Sequence, residues 1–481
     1  MVNKAVILSM KIIISKPDRS GTAVTCMCFL LASTGYLSWL YNIIGLVSPE
    51  TADALSLCAG YALQAAGIGV FALLLHKNPS ASEGVLRLIL PAFMICMLPA
   101  ALSSQLYAAI AFGLALNFLC GMLSGYYLYT LTKLTSAANA AITLGVGYAL
   151  SIVASWLLSL AAKGVSYHYI AIIVCLLLAI AIFVMSRRSS SPAVLTEDET
   201  DCSYSAEVSA RSVSLRIPKN MNLKSLCLLA GALLLLFSVV NSCGFAFPSS
   251  EIKGGVSLET SRLFYAAGLI IAGAVSDRNR KAGAVCVLAA LIIPFIMLAL
   301  KGAVTPLIIL WALGYFTFGF FTIYRIILFS DIARSTGLLY LSVLGLLSGR
   351  IGDAIGEMLN LTLSKQFPVL IVLITSALFI VSVFLFFTIQ HIIYPSESAP
   401  AKSEKEIFNM FSARHDLSSR ERDVLQLILQ EQSNIDIADT LSVSESTVKF
   451  HVHNILQKTG CRNRVALIDL YSDSRNNYYL S

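Results

Sequence analysis

Charge is what this 481-residue chain has least of. Lys, Arg, Asp and Glu make up 13% of it, against about 25% in soluble globular proteins. With 57% hydrophobic residues, the composition excludes a disordered chain and an ordinary soluble enzyme. Cysteine pairs at CxxC spacing are also missing. Nine of the eleven cysteines fall in apolar stretches, where they serve as small apolar filler, and no zinc-ligand spacing remains. No Walker loop, nucleophile motif or metal cluster occurs, so the chain reads as a non-enzyme with no cofactor and no metal. Residues 1–20 carry Lys4, Lys11, Lys16 and Arg19 but no small-residue cleavage motif, so no cleaved signal peptide is expected.

Long apolar runs fill the space. Crossing a bilayer takes about 20 mostly apolar residues. Twelve such runs occur, near 22–47, 54–75, 85–102, 105–130, 138–162, 166–186, 223–247, 258–276, 283–300, 304–329, 338–362 and 367–394. A Ser-rich polar stretch at 187–222, with TEDETD at 196–201, separates six runs at 22–186 from six at 223–394 and reads as a linker. If the segment 1–21 is cytoplasmic, the inner segments hold seventeen Lys or Arg and the outer ones five. That bias predicts a multi-pass protein of the bacterial cytoplasmic (inner) membrane with both termini inside. The net charge of +7 belongs to this part, because residues 401–481 hold ten basic and eleven acidic side chains.

Between the eighth and ninth runs, on the predicted inner side, stands Gly273-Ala-Val-Ser-Asp277-Arg278-Asn-Arg280-Lys281. With the six-plus-six layout, this stretch resembles the major facilitator superfamily and its loop signature GxxxDRxGRR, less the second glycine. The resemblance implies a bundle of about twelve transmembrane helices. A small residue at 273 lets helices approach, and the Asp–Arg cluster latches neighbouring helix ends. The equivalent loop of the first half, Gly69 to Gly84, lacks the pattern.

The eleventh run carries Arg350, Asp353 and Glu357. Ionised groups inside a membrane span are costly. At about 100° per residue these three share one face. Gly345, Gly349, Gly352 and Gly356 lie on a neighbouring face and predict tight packing against another helix. Arg350 and Asp353, at i and i+3, can pair, which leaves Glu357 as a candidate proton or cation site. Two readings stand for the stripe: a ligand or ion pocket, or a structural ion pair between helices. Arg325, in the tenth run, is a further pocket candidate, although its expected behaviour is to snorkel toward the cytoplasmic surface.

After Tyr394 the composition turns polar. Residues 395–413 read as a tether and 414–473 as a small helical domain. Ser418 followed by Glu421, and Ser433 followed by Asp436, are capping pairs that open two helices. Ser444 caps a third helix, which ends at Gly460, and a fourth runs from about Arg464 to Tyr471. A short helix, a three-residue turn and a second helix form a helix-turn-helix pattern. On the third helix, Val448, His451, Val452, Ile455 and Leu456 share an apolar side. Ser446, Phe450, His453 and Gln457 share the opposite side, flanked by Lys449, as major-groove recognition requires. For Phe450, a thymine-methyl contact and a stray surface aromatic both remain open.

The series Leu417-Ser-Ser-Arg420-Glu421, Ser433-Asn434-Ile-Asp-Ile437-Ala438, Ser444-Glu-Ser-Thr447-Val448-Lys449-Phe450-His451 and Lys458 closely resembles the LuxR/FixJ-type helix-turn-helix family. The resemblance implies sequence-specific binding of double-stranded DNA, usually by a homodimer. Carried over, Lys449, Phe450 and His453 fall where the family touches the groove. Asn434, Ser446, Thr447 and Gln457 complete the candidate contact set, and Val465, Ile468 and Leu470 would supply the dimer contact. A loop position often held by Gly is Glu431, and the basic position of the family's SNK pattern is Ile435.

The fold class expected is therefore all-α, a polytopic bundle followed by a four-helix DNA-binding domain. The functional reading is a membrane-tethered transcription regulator whose bundle senses a small-molecule or ion ligand. The alternative is a secondary transporter carrying a regulatory domain.

Overall fold

The computed structural model describes residues 16–161, 164–189, 222–244, 249, 257–299, 307–394 and 404–480. Most of the expected linker at 187–222, and residues 395–403 of the expected tether, lie outside the described residues. The chain divides between Tyr394 and Pro395 into two compact units. Both are helical, and no strand occurs among the described residues.

The first unit contains α1 (Arg19–Leu46), α2 (Pro49–Lys77), α3 (Ser82–Leu102), α4 (Leu106–Leu134), α5 (Ala140–Ala161), α6 (Val165–Ser189), α7 (Leu223–Gly244) and α8 (Leu258–Arg278). It continues with α9 (Arg280–Ala290), α10 (Ile292–Ala299), α11 (Leu307–Thr336), α12 (Leu344–Leu363) and α13 (Pro368–Ile393). Within α2 the backbone loosens to π-helical turns over Ala54–Ala59. Ten helices among the described residues are long and apolar enough to cross a membrane. This is a multi-pass membrane protein.

The two runs that depart from the expected twelve do so for physical reasons. The ninth is broken at Leu291 into α9 and α10. Pro294 has no N–H to give the Ala290 carbonyl, and its ring crowds that carbonyl, so the helix must restart. The eleventh is continuous as α12 but carries three ionisable side chains.

Glycines bring α12 against α7, as their spacing implied. A Cβ on Gly352 would stand 2.3 Å from the Leu235 carbonyl oxygen, and one on Gly356 would stand 2.6 Å from that of Val239. No side chain fits there. Elsewhere apolar residues point outward in helical stripes. Leu373, Ile380, Phe384 and Phe387 on α13 are 60–72% exposed, a face suited to acyl chains rather than water.

The second unit has its own core, built on Phe411, Leu417, Val424, Leu425, Ile428, Ile437, Val448, Ile455, Leu467 and Tyr471. Its helices are α14 (Glu404–Arg414), α15 (Ser419–Leu429), α16 (Asn434–Leu441), α17 (Glu445–Thr459) and α18 (Arg464–Leu480). The reading of 395–413 as a bare tether is corrected here. Residues from Glu404 onward are helical, and Phe411 is fully buried against Tyr471. The short polar run Lys-Ser-Glu-Lys-Glu masked one apolar face (Ile407, Phe411). The last helix also runs nine residues past Tyr471.

Both capping boxes form, at Ser418–Glu421 and Ser433–Asp436. Gly460 ends α17 in the left-handed region at φ 72°. Glu431 adopts φ 61° in the loop before α16, where a β-carbon is strained. We expect Glu431→Gly to stabilise this unit by about 0.5–1 kcal/mol, the strain relieved less the chain entropy glycine adds. Thermal unfolding of a 404–481 fragment, followed by circular dichroism, checks it: the melting temperature should rise.

Candidate DNA-binding face and membrane cavity

Within the first unit a cavity of about 210 Å³ lies among α1, α2, α4, α5, α7, α8, α11 and α12. Its walls include Tyr36, Tyr61, Tyr127, Tyr148, Tyr265 and Tyr315. The charged stripe of α12 reaches it. Asp353 Oδ2 accepts from Arg350 Nη1 at 3.2 Å and from Arg325 Nη1 at 3.1 Å, while its Oδ1 accepts from the Ser242 hydroxyl at 3.3 Å. The expectation that Arg325 snorkels is corrected. Its side chain is only 3% exposed, paired with Asp353 and set against the faces of Phe318 and Phe321. A guanidinium that meets a carboxylate and two rings has no need of the surface. Arg350 is the more open of the two, with its guanidinium carbon 4.5 Å from the centre of the Tyr61 ring. Glu357 lines the same cavity and is buried.

A second set of buried charges sits where α5, α8, α9, α11 and α13 meet, and includes the loop motif. Gly273 lets α8 touch the start of α5, since a Cβ there would stand 2.6 Å from the Ala141 carbonyl oxygen. Asp277 then accepts from the backbone N–H groups of Ala141 (3.0 Å) and Ile142 (2.7 Å). These are orphan donors at the positive end of α5, which a carboxylate satisfies. Arg280 donates to Asp277 at 2.8 Å, to Asp331 at 2.9 Å, and to the carbonyls of Ser276 and Ala137. Asp331 also faces Arg334 at 3.5 Å and accepts from the Tyr394 hydroxyl at 3.1 Å. Arg334 in turn donates to Thr135 at 2.9 Å. Arg278 is exposed and Lys281 half-buried, and neither is paired in this network among the described residues.

Asp331, Arg334, Thr135 and Tyr394 were not singled out by sequence. Asp331 carries a readable signal, an acid two residues past the end of a long apolar run. Tyr394 carried none, because a tyrosine at a helix end is common. Arg262, on the cavity wall, is one of the five Lys and Arg that the sequence assigns to the outer segments.

In the second unit the recognition-type helix α17 turns Val448 and Ile455 fully into the core. Ser446, Lys449, Phe450, His453 and Gln457 are all exposed, and Thr447 and Asn434 are half-buried. Phe450 is 62% exposed, an apolar tip on a polar face. Lys449 pairs with Glu445 one turn back at 2.8 Å. Ser444 caps the helix through the Thr447 N–H and also bonds the Ser446 and Thr447 hydroxyls. The three residues expected at a dimer contact are divided by the fold. Val465 is 66% exposed, whereas Ile468 and Leu470 pack partly against the core.

Polar contacts add to this core packing and tie α17 and α18 to α15 and its flanking loops. Lys458 donates to Glu421 at 2.7 Å and to the Asp416 carbonyl at 2.9 Å. Arg464 donates to the carbonyls of Ile428 and Gln432. Burial pushes the Glu421 carboxyl up, but the Lys458 ammonium and the Ser418 hydrogen bonds outweigh it and leave the group below the ordinary 4.5.

Residues 415–471 match the family model for bacterial regulatory proteins of the luxR family. The chain is 39% identical over 54 residues to the spore germination protein GerE of Bacillus subtilis, covering 73% of that protein and 11% of this chain. The chain belongs to the luxR family. Its luxR-type unit is also 44% identical over 70 residues to the nitrate/nitrite response regulator protein NarP of Escherichia coli, but this spans only 33% of NarP and 14% of this chain. The bundle has a different likeness. The human organic anion transporter MFSD10 (TETRAN) superposes with a TM-score of 0.51 at 15% identity, over 76% of this chain and 98% of that one. At that identity the likeness shows the fold alone, a bundle like those of the major facilitator superfamily joined to a luxR-type domain.

Two measurements follow from this geometry. Asp331→Asn strips a buried carboxylate from Arg280 and Arg334, so the bundle should lose about 3–5 kcal/mol; scanning fluorimetry of the detergent-purified chain would show a marked fall in melting temperature. For the luxR-type unit the sign comes from Glu421. Its folded pKa is depressed, so its contribution is complete above pH 4.5 and is lost as pH falls through the folded value. Urea titrations of the 404–481 fragment at falling pH should show wild type losing stability below pH 4.5 more steeply than Lys458→Met.

Proposed function

We propose that this protein is a membrane-tethered transcription regulator. In this reading the bundle senses a small-molecule or ion ligand in its charged cavity. The luxR-type unit binds double-stranded DNA as a homodimer, with Asn434, Ser446, Thr447, Lys449, Phe450, His453 and Gln457 toward the groove. The excess of Lys and Arg on alternate loops supports a bacterial inner-membrane location with both termini cytoplasmic. The observation that carries the proposal is covalent: one chain joins a luxR-family DNA-binding unit to a bundle that encloses a charged cavity.

The root of the connection suggests how a signal passes. Tyr394 is the last residue of the bundle before the chain leaves for the DNA-binding unit, and its hydroxyl is held by Asp331 in the buried charge network. A rearrangement of the bundle that parts α11 from α8 and α9 would release that root and change how freely the DNA-binding unit moves. Tyr394→Phe removes only this hydrogen bond. It should raise operator affinity of the ligand-free full-length protein in nanodiscs toward that of the 404–481 fragment, read by fluorescence anisotropy on an operator selected from random DNA. Equal affinity of the variant and wild type would remove Tyr394 from the path. In the same assay Lys449→Ala should weaken binding by about 1–3 kcal/mol if it makes a bidentate base contact.

A second reading is favoured by the fold likeness to a transporter and by the buried ion triad. Here the bundle moves a solute and the luxR-type unit reports on that traffic. Uptake into proteoliposomes that disappears in Arg350→Ala would support it. If operator affinity responds to a ligand while no uptake occurs, the sensor reading stands instead.

A further inference from the structure

We propose that the bundle's cavity takes a small organic anion. Arg350 and Arg262 would hold its carboxylate, and its apolar body would lie against the tyrosine rings. This rests on the sensing reading above and names the class of ligand that reading requires.

The inference comes from an accounting of donors and acceptors. Each guanidinium offers five N–H groups. Arg350 commits one group to Asp353 among the described residues, and its side chain is 21% exposed on the cavity wall. Arg325 is nine-tenths buried and more, yet its Nε finds no acceptor. Arg262 lines the cavity and has no carboxylate within 4 Å among the described residues. Two of the three acids on the wall, Asp53 and Asp353, are already engaged. Asp353 accepts through both oxygens, Asp53 accepts the Ser249 N–H at 2.9 Å, and Glu357 has contacts of its own.

The cavity therefore has donors in surplus and few acceptors left. One Asp353 oxygen serves two guanidiniums, which repel each other in a medium that screens poorly. An arriving carboxylate would satisfy open donors in the planar, two-pronged geometry that arginine favours. A cation would find two of the three acids engaged and would face three guanidiniums. A neutral amide would offer one acceptor and bring its own N–H donors into a site that already has too many. The volume of about 210 Å³ limits the guest to something near a single ring, and the tyrosines supply flat apolar walls.

The test uses the full-length protein in nanodiscs and three probes of one shape: benzoate, benzamide and benzylamine. Titration calorimetry should show benzoate binding, with benzamide and benzylamine weaker by about tenfold or more. Arg262→Gln should lower benzoate affinity by about tenfold. Its melting temperature should not change, because it breaks no ion pair. Arg350→Lys should do the same by losing the planar fork while keeping the charge. Benzamide binding as tightly as benzoate would overturn the proposal. So would unaltered benzoate affinity in Arg262→Gln, or no binding by benzoate, salicylate or hexanoate at millimolar concentration. The sensing reading fails separately, if benzoate binds and operator affinity does not move. Conversely, operator affinity that answers to benzylamine but not to benzoate would sink the anion and keep the sensor.

Discussion

An ionised side chain inside an apolar bundle must be paired, and the first unit is arranged around that requirement. Much of its interior charge gathers at two carboxylates, Asp331 and Asp353, each of which serves two arginines. Desolvation makes such groups expensive singly and tolerable only where several donors converge. The backbone joins in: the N–H groups at the start of α5 meet Asp277 because a helix terminus leaves them without partners. Helices that would otherwise meet only through interchangeable apolar contacts thereby acquire defined neighbours.

Three helices, α5, α8 and α11, belong to both centres. α11 carries Arg325 to the cavity and Asp331 to the charge network six residues on, a rise of about 9 Å along a rigid rod. α12 is locked to α7 by glycines with no room to adjust, so movement near Asp353 would be borne by other partners. α13 ends on Tyr394, in the same network. The cavity and the inner charges are thus linked through shared helices, and the inner charges hold Tyr394, the last residue of the first unit.

The luxR-type unit relies on different means. It has a small core, and its termini and turns are held by caps and by two basic side chains, Lys458 and Arg464, that reach back to α15 and its flanking loops. The exposed face of α17 is left to polar groups and one phenylalanine. With ten basic and eleven acidic residues over 401–481, the unit owes nothing to a general positive charge. The excess charge of the whole chain lies in the bundle's part of the sequence, where it relates to orientation.

Local patterns were legible where local physics decides the outcome. The apolar runs, the Ser–Glu and Ser–Asp capping pairs, the glycine that ends α17 and the apolar back of that helix all depend on neighbours within a few residues. So did the pairing of Arg350 with Asp353, one turn apart. The helix 404–414 escaped because its apolar face is two residues wide and gains its partner, Tyr471, from sixty positions away. Arg325 was misplaced for the same kind of reason, since its carboxylate lies on another helix. The sequence alone therefore determined most of the segments that are helical, which part is apolar enough to cross a membrane and which face of α17 is polar. Only the tertiary structure decided that Asp331 binds Tyr394, that Arg325 turns inward and that Arg325 and Arg350 share Asp353, because each depends on side chains that the chain brings together only when it packs.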